Sequence, residues 1–183
     1  MGAASSTYSS SFSCPSSQKK YDVFLSFRGE DTRRSFTSHL HTALCLRGIE
    51  TYIEYELPKG DDISQSLIQA IEDSTISVVI FSKSYGSSKW CLNELTKILE
   101  FSEIQGQLVI PIFYEVDPSH VPNQKGTYQD AFAKQERDLQ RKPEKVQKWK
   151  HVLFETASLA GWDSQSCRSV FIHSLKLRFH LFL

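Results

Sequence analysis

No apolar run in this 183-residue sequence approaches the ~20 residues a helix needs to cross a bilayer. Net charge is absent as well, with Lys+Arg and Asp+Glu at 21 each. A neutral chain gives no electrostatic case for nonspecific binding to nucleic acid or to an anionic membrane. Cysteine is scarce: Cys14, Cys45, Cys91 and Cys167 show neither paired C-x-x-C spacing nor a secretory context. They read as reduced cytosolic thiols rather than a disulfide framework. There is no Walker lysine motif, no GxGxxG, and no His/Cys cluster at metal-ligand spacing, so no metal is expected. Sequence alone places no partners for His39 or His41 that would make a Ser-His-Asp arrangement.

What is present is enough apolar material, 40% of residues, for one globular domain but hardly two. Residues 1–19 are rich in serine, and their lack of a hydrophobic stretch argues against a signal peptide. They read as a disordered leader. A second reading stays open, because Met1-Gly2-Ala3-Ala4-Ser5-Ser6 fits the pattern for myristoylation of Gly2. One acyl chain alone would attach the protein only marginally to a membrane.

Strand-like and helix-like segments then alternate. Tyr21–Phe27, Ile49–Ile53, Ile76–Phe81 and Leu108–Tyr114 are short apolar runs suited to buried strands, with a short edge strand near Trp162. Asp31 or Thr32 is expected to cap a helix with Phe36, Leu40, Ala43 and Leu44 on one face, ended by Gly48. Ser64 caps the next helix, and Ser87 and Ser88 precede a third over Trp90–Ile104, stopped by Gly106. Thr127–Leu139 and Val146–Ala160 read as helices, the latter with a stripe of Val146, Trp149, Leu153, Ala157 and Ala160. This alternation implies an α/β fold: a flavodoxin-like three-layer sandwich around a central parallel sheet of five strands. In such folds ligands sit beyond the carboxyl ends of the strands.

The loops at that edge carry the polar residues of interest. Phe27-Arg28-Gly29-Glu30-Asp31 follows the first strand, and Ser82 to Leu95 follows the third. Arg28 could hold a phosphate in bidentate fashion, and Trp90 could stack on a ring. Glu94 lies one helical turn beyond Trp90, on the same side. Each has a bland alternative. Glu94 could be a solvated carboxylate favoured by the helix dipole, Trp90 a core plug, and Arg28 a partner of Glu30 or Asp31.

Together these segments resemble a known family. Tyr21 to Arg33, Ser82-Lys83-Ser84-Tyr85 with Ser88 to Leu95, and Pro111 to Ser119 resemble, in order and spacing, the three signatures of plant TIR (Toll/interleukin-1 receptor-like) domains. Those domains are the N-terminal signalling modules of intracellular immune receptors. The resemblance spans residues 20–162 and implies a NAD+ glycohydrolase that releases nicotinamide and ADP-ribose-type or cyclised nucleotides, with NAD+ as substrate and no cofactor. Glu94 matches the family's catalytic carboxylate, and Phe27, Arg28, Ser88 and Trp90 match its nucleotide pocket. Activity in the family depends on self-association, through surfaces matched here by Ser38, His39 and Gly161. The implied partners are other TIR domains and full-length immune receptors, in the cytoplasm and also the nucleus.

Two stretches depart from the pattern. Glu54 and Tyr55 stand where the family commonly has two acids, in the loop Glu54–Gly60. Beyond 163 the expected acidic final helix is replaced: Leu175, Leu177, Phe179 and Leu181 alternate with Lys176, Arg178 and His180, a strand period. The expected division is therefore a leader over 1–19, a TIR domain over 20–163 and a divergent tail over 164–183, in a truncated or alternatively spliced TIR-only chain. The competing function is a catalytically weak adaptor or modulator that acts only by TIR–TIR binding.

Overall fold

The structure is a computed structural model that describes residues 19–54 and 63–164. The serine-rich leader with Gly2, the loop after Glu54 as far as Asp62, and the divergent tail lie outside the described residues, as do Cys14 and Cys167.

Five strands form one parallel sheet in the order β2-β1-β3-β4-β5. They are β1 Tyr21–Phe27, β2 Thr51–Ile53, β3 Ser74–Phe81, β4 Leu108–Phe113 and β5 Trp162–Asp163. Successive side chains of a strand face opposite sides, and both sides are buried, so the strands read as nearly continuous apolar runs. Val23, Leu25, Ile76, Val78, Ile80, Ile110 and Ile112 build one core layer. Phe24, Val79, Phe81 and Val109 point into the other, with residues of α3 (Gln65–Glu72), α4 (Lys89–Gln105), α5 (Thr127–Asp138) and α6 (Pro143–Ala157). The edge strand near Trp162 is formed: Trp162 pairs with Ile112 and Asp163 with Phe113, both parallel.

The cap foreseen for α3 is formed, and of Ser87 and Ser88, which precede α4, it is Ser88 that caps it. Ser64 Oγ accepts from Leu67 N–H at 3.2 Å and Ser88 Oγ from Cys91 N–H at 3.2 Å. Gly106 ends α4 at φ 69°, a left-handed conformation that glycine adopts without penalty.

The first helix departs from expectation. Neither Asp31 nor Thr32 caps it. The helical path starts at Gly29, with Arg28 at the N-cap, and runs as α1 Gly29–Thr32, a π-helical stretch Arg33–Thr37 and α2 Ser38–Cys45. Asp31 instead braces the neighbouring loop, where its carboxylate accepts from Ser82 Oγ at 2.6 Å and from Ser84 N–H at 2.8 Å. Thr32 and Thr37 bury their hydroxyls against each other at 2.8 Å. Of the foreseen stripe Leu40 and Leu44 are buried, while Phe36 is half-buried and packs on Tyr114. The last helix ends at Ala157 rather than Ala160, and Ala160 is exposed.

Candidate functional site

The sheet order reverses between β1 and β3, the topological switch point where two neighbouring crossovers leave in opposite directions. A cleft opens at the carboxyl ends of those strands. One wall is the β1–α1 turn with Phe27, Arg28, Gly29, Glu30 and Arg33, and the other is the start of α4 with Trp90, Cys91 and Glu94. Glu54 closes it at the end of β2. The Asp31 bonds to Ser82 and Ser84 tie the β1 side to the β3 side, which holds the two walls in register.

Three of the four residues matched to a nucleotide pocket, together with Glu94, therefore share one cleft: Phe27, Arg28 and Trp90. The fourth, Ser88, stands beside it with its hydroxyl already engaged, taking the Cys91 N–H as helix cap and Arg28 Nη1 at 3.3 Å. Arg28 also pairs with Glu30 at 2.7 Å, as one of the bland alternatives held, but Glu30 is 72% exposed and the pair is a rim contact. The Nε of Arg28 is buried with no hydrogen-bond partner among the described residues. A buried donor in that state is ready for an acceptor such as a phosphate oxygen.

Glu94 is not the solvated carboxylate that its position near a helix start suggests; it is 5% exposed. Burial pushes its carboxyl up to about 8, and the charge of Glu54 adds to the rise. Hydrogen bonds from the Ser26 hydroxyl and the Trp90 indole work against it. At neutral pH the resting carboxyl is therefore mostly protonated. Burial also pushes the Cys91 thiol up to about 12, with the Glu94 charge second, which leaves that cleft-lining sulfur without nucleophilic character.

Residue type and spacing do not single out Arg33. Its guanidinium lies over the Phe27 ring, 5.1 Å from the centroid, and donates to the Glu54 carbonyl at 2.8 Å. It thus spans the cleft from β1 to β2, from within the π-helical stretch, a conformation often found at functional sites. In this state the cleft holds about 60 Å³, well below the several hundred Å³ of a usual ligand pocket. Among the described residues no group of His, Cys, Asp and Glu gathers as a metal site.

The residues matched to self-association stand apart from the cleft. Ser38 and His39 are exposed at the start of α2. Gly161 is exposed too, but packing also constrains it, because a Cβ there would lie 2.4 Å from the Pro111 carbonyl oxygen of β4.

This sheet order, with a cleft at its switch point, defines an α/β domain of the doubly wound, flavodoxin-like class. The chain belongs to the TIR domain family, whose family model matches residues 20–179, and within it to the plant immune-receptor type. It is 49% identical over 156 residues to disease resistance protein RPV1 of Vitis rotundifolia, covering 84% of this chain and 11% of that one. Over 150 residues it is 49% identical to TMV resistance protein N of Nicotiana glutinosa, covering 81% and 13%. Among solved structures it is similar to the TIR domains of the activated Roq1 resistosome, which directly recognizes the pathogen effector XopQ. That match has 44% identity, a TM-score of 0.81, and covers 86% of this chain and 98% of that one. The TIR domain of the Toll-related receptor TRR-2 from Hydra magnipapillata, at 17% identity and TM-score 0.54, shares the fold. The chain spans 11–13% of the length of the curated relatives named here.

Proposed function

We propose that this TIR domain is a NAD+ glycohydrolase of plant immune signalling that acts when self-associated, with Glu94 as its catalytic carboxylate. The observation that carries the reading is a carboxyl group buried in a cleft whose walls supply an indole, a phenyl ring and two guanidinium groups. Trp90 and Phe27 offer faces for rings, and Arg28 offers a free buried donor for the pyrophosphate. NAD+ is the substrate, and the reaction needs no further cofactor.

Breaking the bond between ribose and nicotinamide builds positive charge on the sugar. A carboxylate fixed against the ribose stabilises that charge, and low local dielectric strengthens the effect. Nicotinamide leaves readily as a neutral ring, so no strong acid is needed. The state of Glu94 suits this chemistry. Protonated in the resting cleft, it loses its proton when a pyridinium cation arrives beside it, because an opposite charge favours the ionised form.

A dinucleotide needs several hundred Å³, so the cleft must widen from its present 60 Å³. Release of Arg33 from Phe27 and from the Glu54 carbonyl is the shortest route to that space. The Roq1 relative is named from an activated resistosome with its TIR domains, and self-association is the expected trigger here. Ser38, His39 and Gly161 are the contact residues we assign, with other TIR domains and full-length receptors as partners in the cytoplasm.

The narrow cleft equally favours a second reading, an adaptor that binds other TIR domains without turnover. One assay separates the two. Purified protein, concentrated or on a crowding surface, is incubated with NAD+, and nicotinamide is followed by chromatography. Release that disappears in a folded Glu94→Ala protein supports the enzyme. Undiminished release by that variant, or none by the wild type in an assembled state, overturns it.

A further inference from the structure

A guanidinium is a rigid fork. Its Nε–H and one N–H of Nη2 point the same way and form a paired edge, which takes two oxygens of a single carboxylate or phosphate. A carboxylate that suits this edge engages both donors. Glu30 does not. Its Oε2 lies 2.7 Å from Nη2 of Arg28, while Nε of the same guanidinium is buried with no hydrogen-bond partner among the described residues. The ion pair is a half-made fork, and the donor it leaves over is the one that water does not reach.

The guanidinium itself is held in place. Nη1 donates at 3.3 Å to the hydroxyl of Ser88, which is fixed in turn as the cap of α4. Arg28 is 23% exposed and Glu30 72%, so the acid is the freer of the two partners. Both line the cleft. Asp31, the next residue, spends its carboxylate on Ser82 and Ser84. That leaves Glu30 as the acid paired with Arg28.

We propose that Glu30 is a built-in competitor at the phosphate site: its carboxylate holds Nη2 of Arg28 until a diphosphate takes the whole Nε–Nη2 edge. The proposal rests on the reading of the cleft as a nucleotide site and names what such a ligand has to displace. Two oxygens on one phosphorus match both donors, satisfy the buried Nε and send Glu30 back to water. An exposed ion pair is weak, so the displacement is easy for a ligand that makes the full fork. A ligand without phosphate gains nothing from it. Glu30 thereby raises the threshold for occupancy and ties it to the phosphate groups.

The test is binding, which does not require turnover. The full chain is titrated with ADP and with adenosine, which differ only in the diphosphate, and backbone amide shifts are followed by NMR. Glu30→Gln keeps the shape and removes the charge. It should bind ADP about threefold more tightly, the scale of one exposed ion pair, and adenosine as the wild type does. Arg28→Lys keeps the charge but has no paired edge, and should weaken ADP binding by about tenfold. Added to Arg28→Lys, Glu30→Gln should recover little, because the two residues act on one interaction. Unchanged ADP affinity in Glu30→Gln, or ADP that binds neither protein, overturns the proposal. So does an equal gain for adenosine or in the Arg28→Lys background, since either would be a general effect of charge. Tighter ADP binding by a Glu30→Gln protein whose wild type releases no nicotinamide from NAD+ upholds the competitor and discards the enzymatic reading instead.

Discussion

Helix α4 carries two buried or half-buried glutamates in opposite situations. Glu94 faces the cleft, and burial with the charge of Glu54 pushes it up to about 8. Glu100, two turns further on, sits on the seam between α4 and α6. Burial acts against its charge too, but hydrogen bonds from Lys148 and Lys97 outweigh this and hold it below the usual range. Those lysines lie at 2.8 and 2.6 Å. Beneath them Trp149 is 1% exposed, its indole donating to Asn93 Oδ1 at 3.1 Å. The seam is satisfied and stabilises the fold. The cleft is left electrostatically uncomfortable, and that discomfort is what a cationic substrate would relieve. Neighbouring residues of one helix, Asn93 and Glu94, thus serve the two regions separately.

Three substitutions test that separation, from the largest effect on stability to the smallest. Trp149→Ala should cost about 4 kcal/mol, through lost burial and the cavity left behind. Denaturant unfolding should show the midpoint fall sharply. A loss under about 1 kcal/mol would mean that the seam is not the stabilising region. Glu94→Gln should do the reverse. The folded carboxyl has a raised pKa, so the folded state binds more protons than the unfolded chain between pH 4.5 and about 8. Its stability contribution is present in full below pH 4.5 and is lost as pH rises towards 8. Removing the charge should therefore stabilise the protein by about 2–3 kcal/mol at pH 7, more at pH 9, and by almost nothing at pH 4. Melting curves at the three pH values read this directly, and a gain independent of pH would break the comparison. Lys148→Ala removes a half-exposed partner of Glu100 and should cost less than about 1 kcal/mol. A larger loss would mean that the rim, and not only Trp149, holds the seam.

The fold was largely legible in the chain. Strands buried on both faces show as apolar runs, and Ser64, Ser88 and Gly106 mark helix ends through local chemistry that needs no tertiary partner. Where local chemistry offers two outcomes, the sequence misled. Asp31 has the residue type and position of a cap, yet it bonds Ser82 and Ser84 across the switch point, a choice made by residues 51 and 53 positions away. Glu94 near a helix start reads as a solvated, dipole-favoured acid, and nothing in its neighbours announces 5% exposure. Gly161 is matched to an interface by family pattern alone, whereas its contact with Pro111 gives it a packing reason in this chain. Ser26 did carry a signal, a lone hydroxyl among Val23, Phe24, Leu25 and Phe27, but its side-chain partner, Tyr85, lies 59 residues away.

By itself the sequence determined the alternation of elements, the parallel sheet, the family and the set of residues that reach one sheet edge. These follow from periodicity, capping and turn chemistry, which act over a few residues. Only the tertiary structure decided which polar groups lose water and which acquire partners. Glu94 is raised because α4 packs it inward, Arg33 crosses the cleft because the π-helical stretch aims it at Phe27, and Ser26 has a hydrogen-bond partner because Tyr85 lies 2.9 Å away. Desolvation and hydrogen-bond geometry depend on distances between elements far apart in the chain, and those distances come into being only when the sheet is assembled.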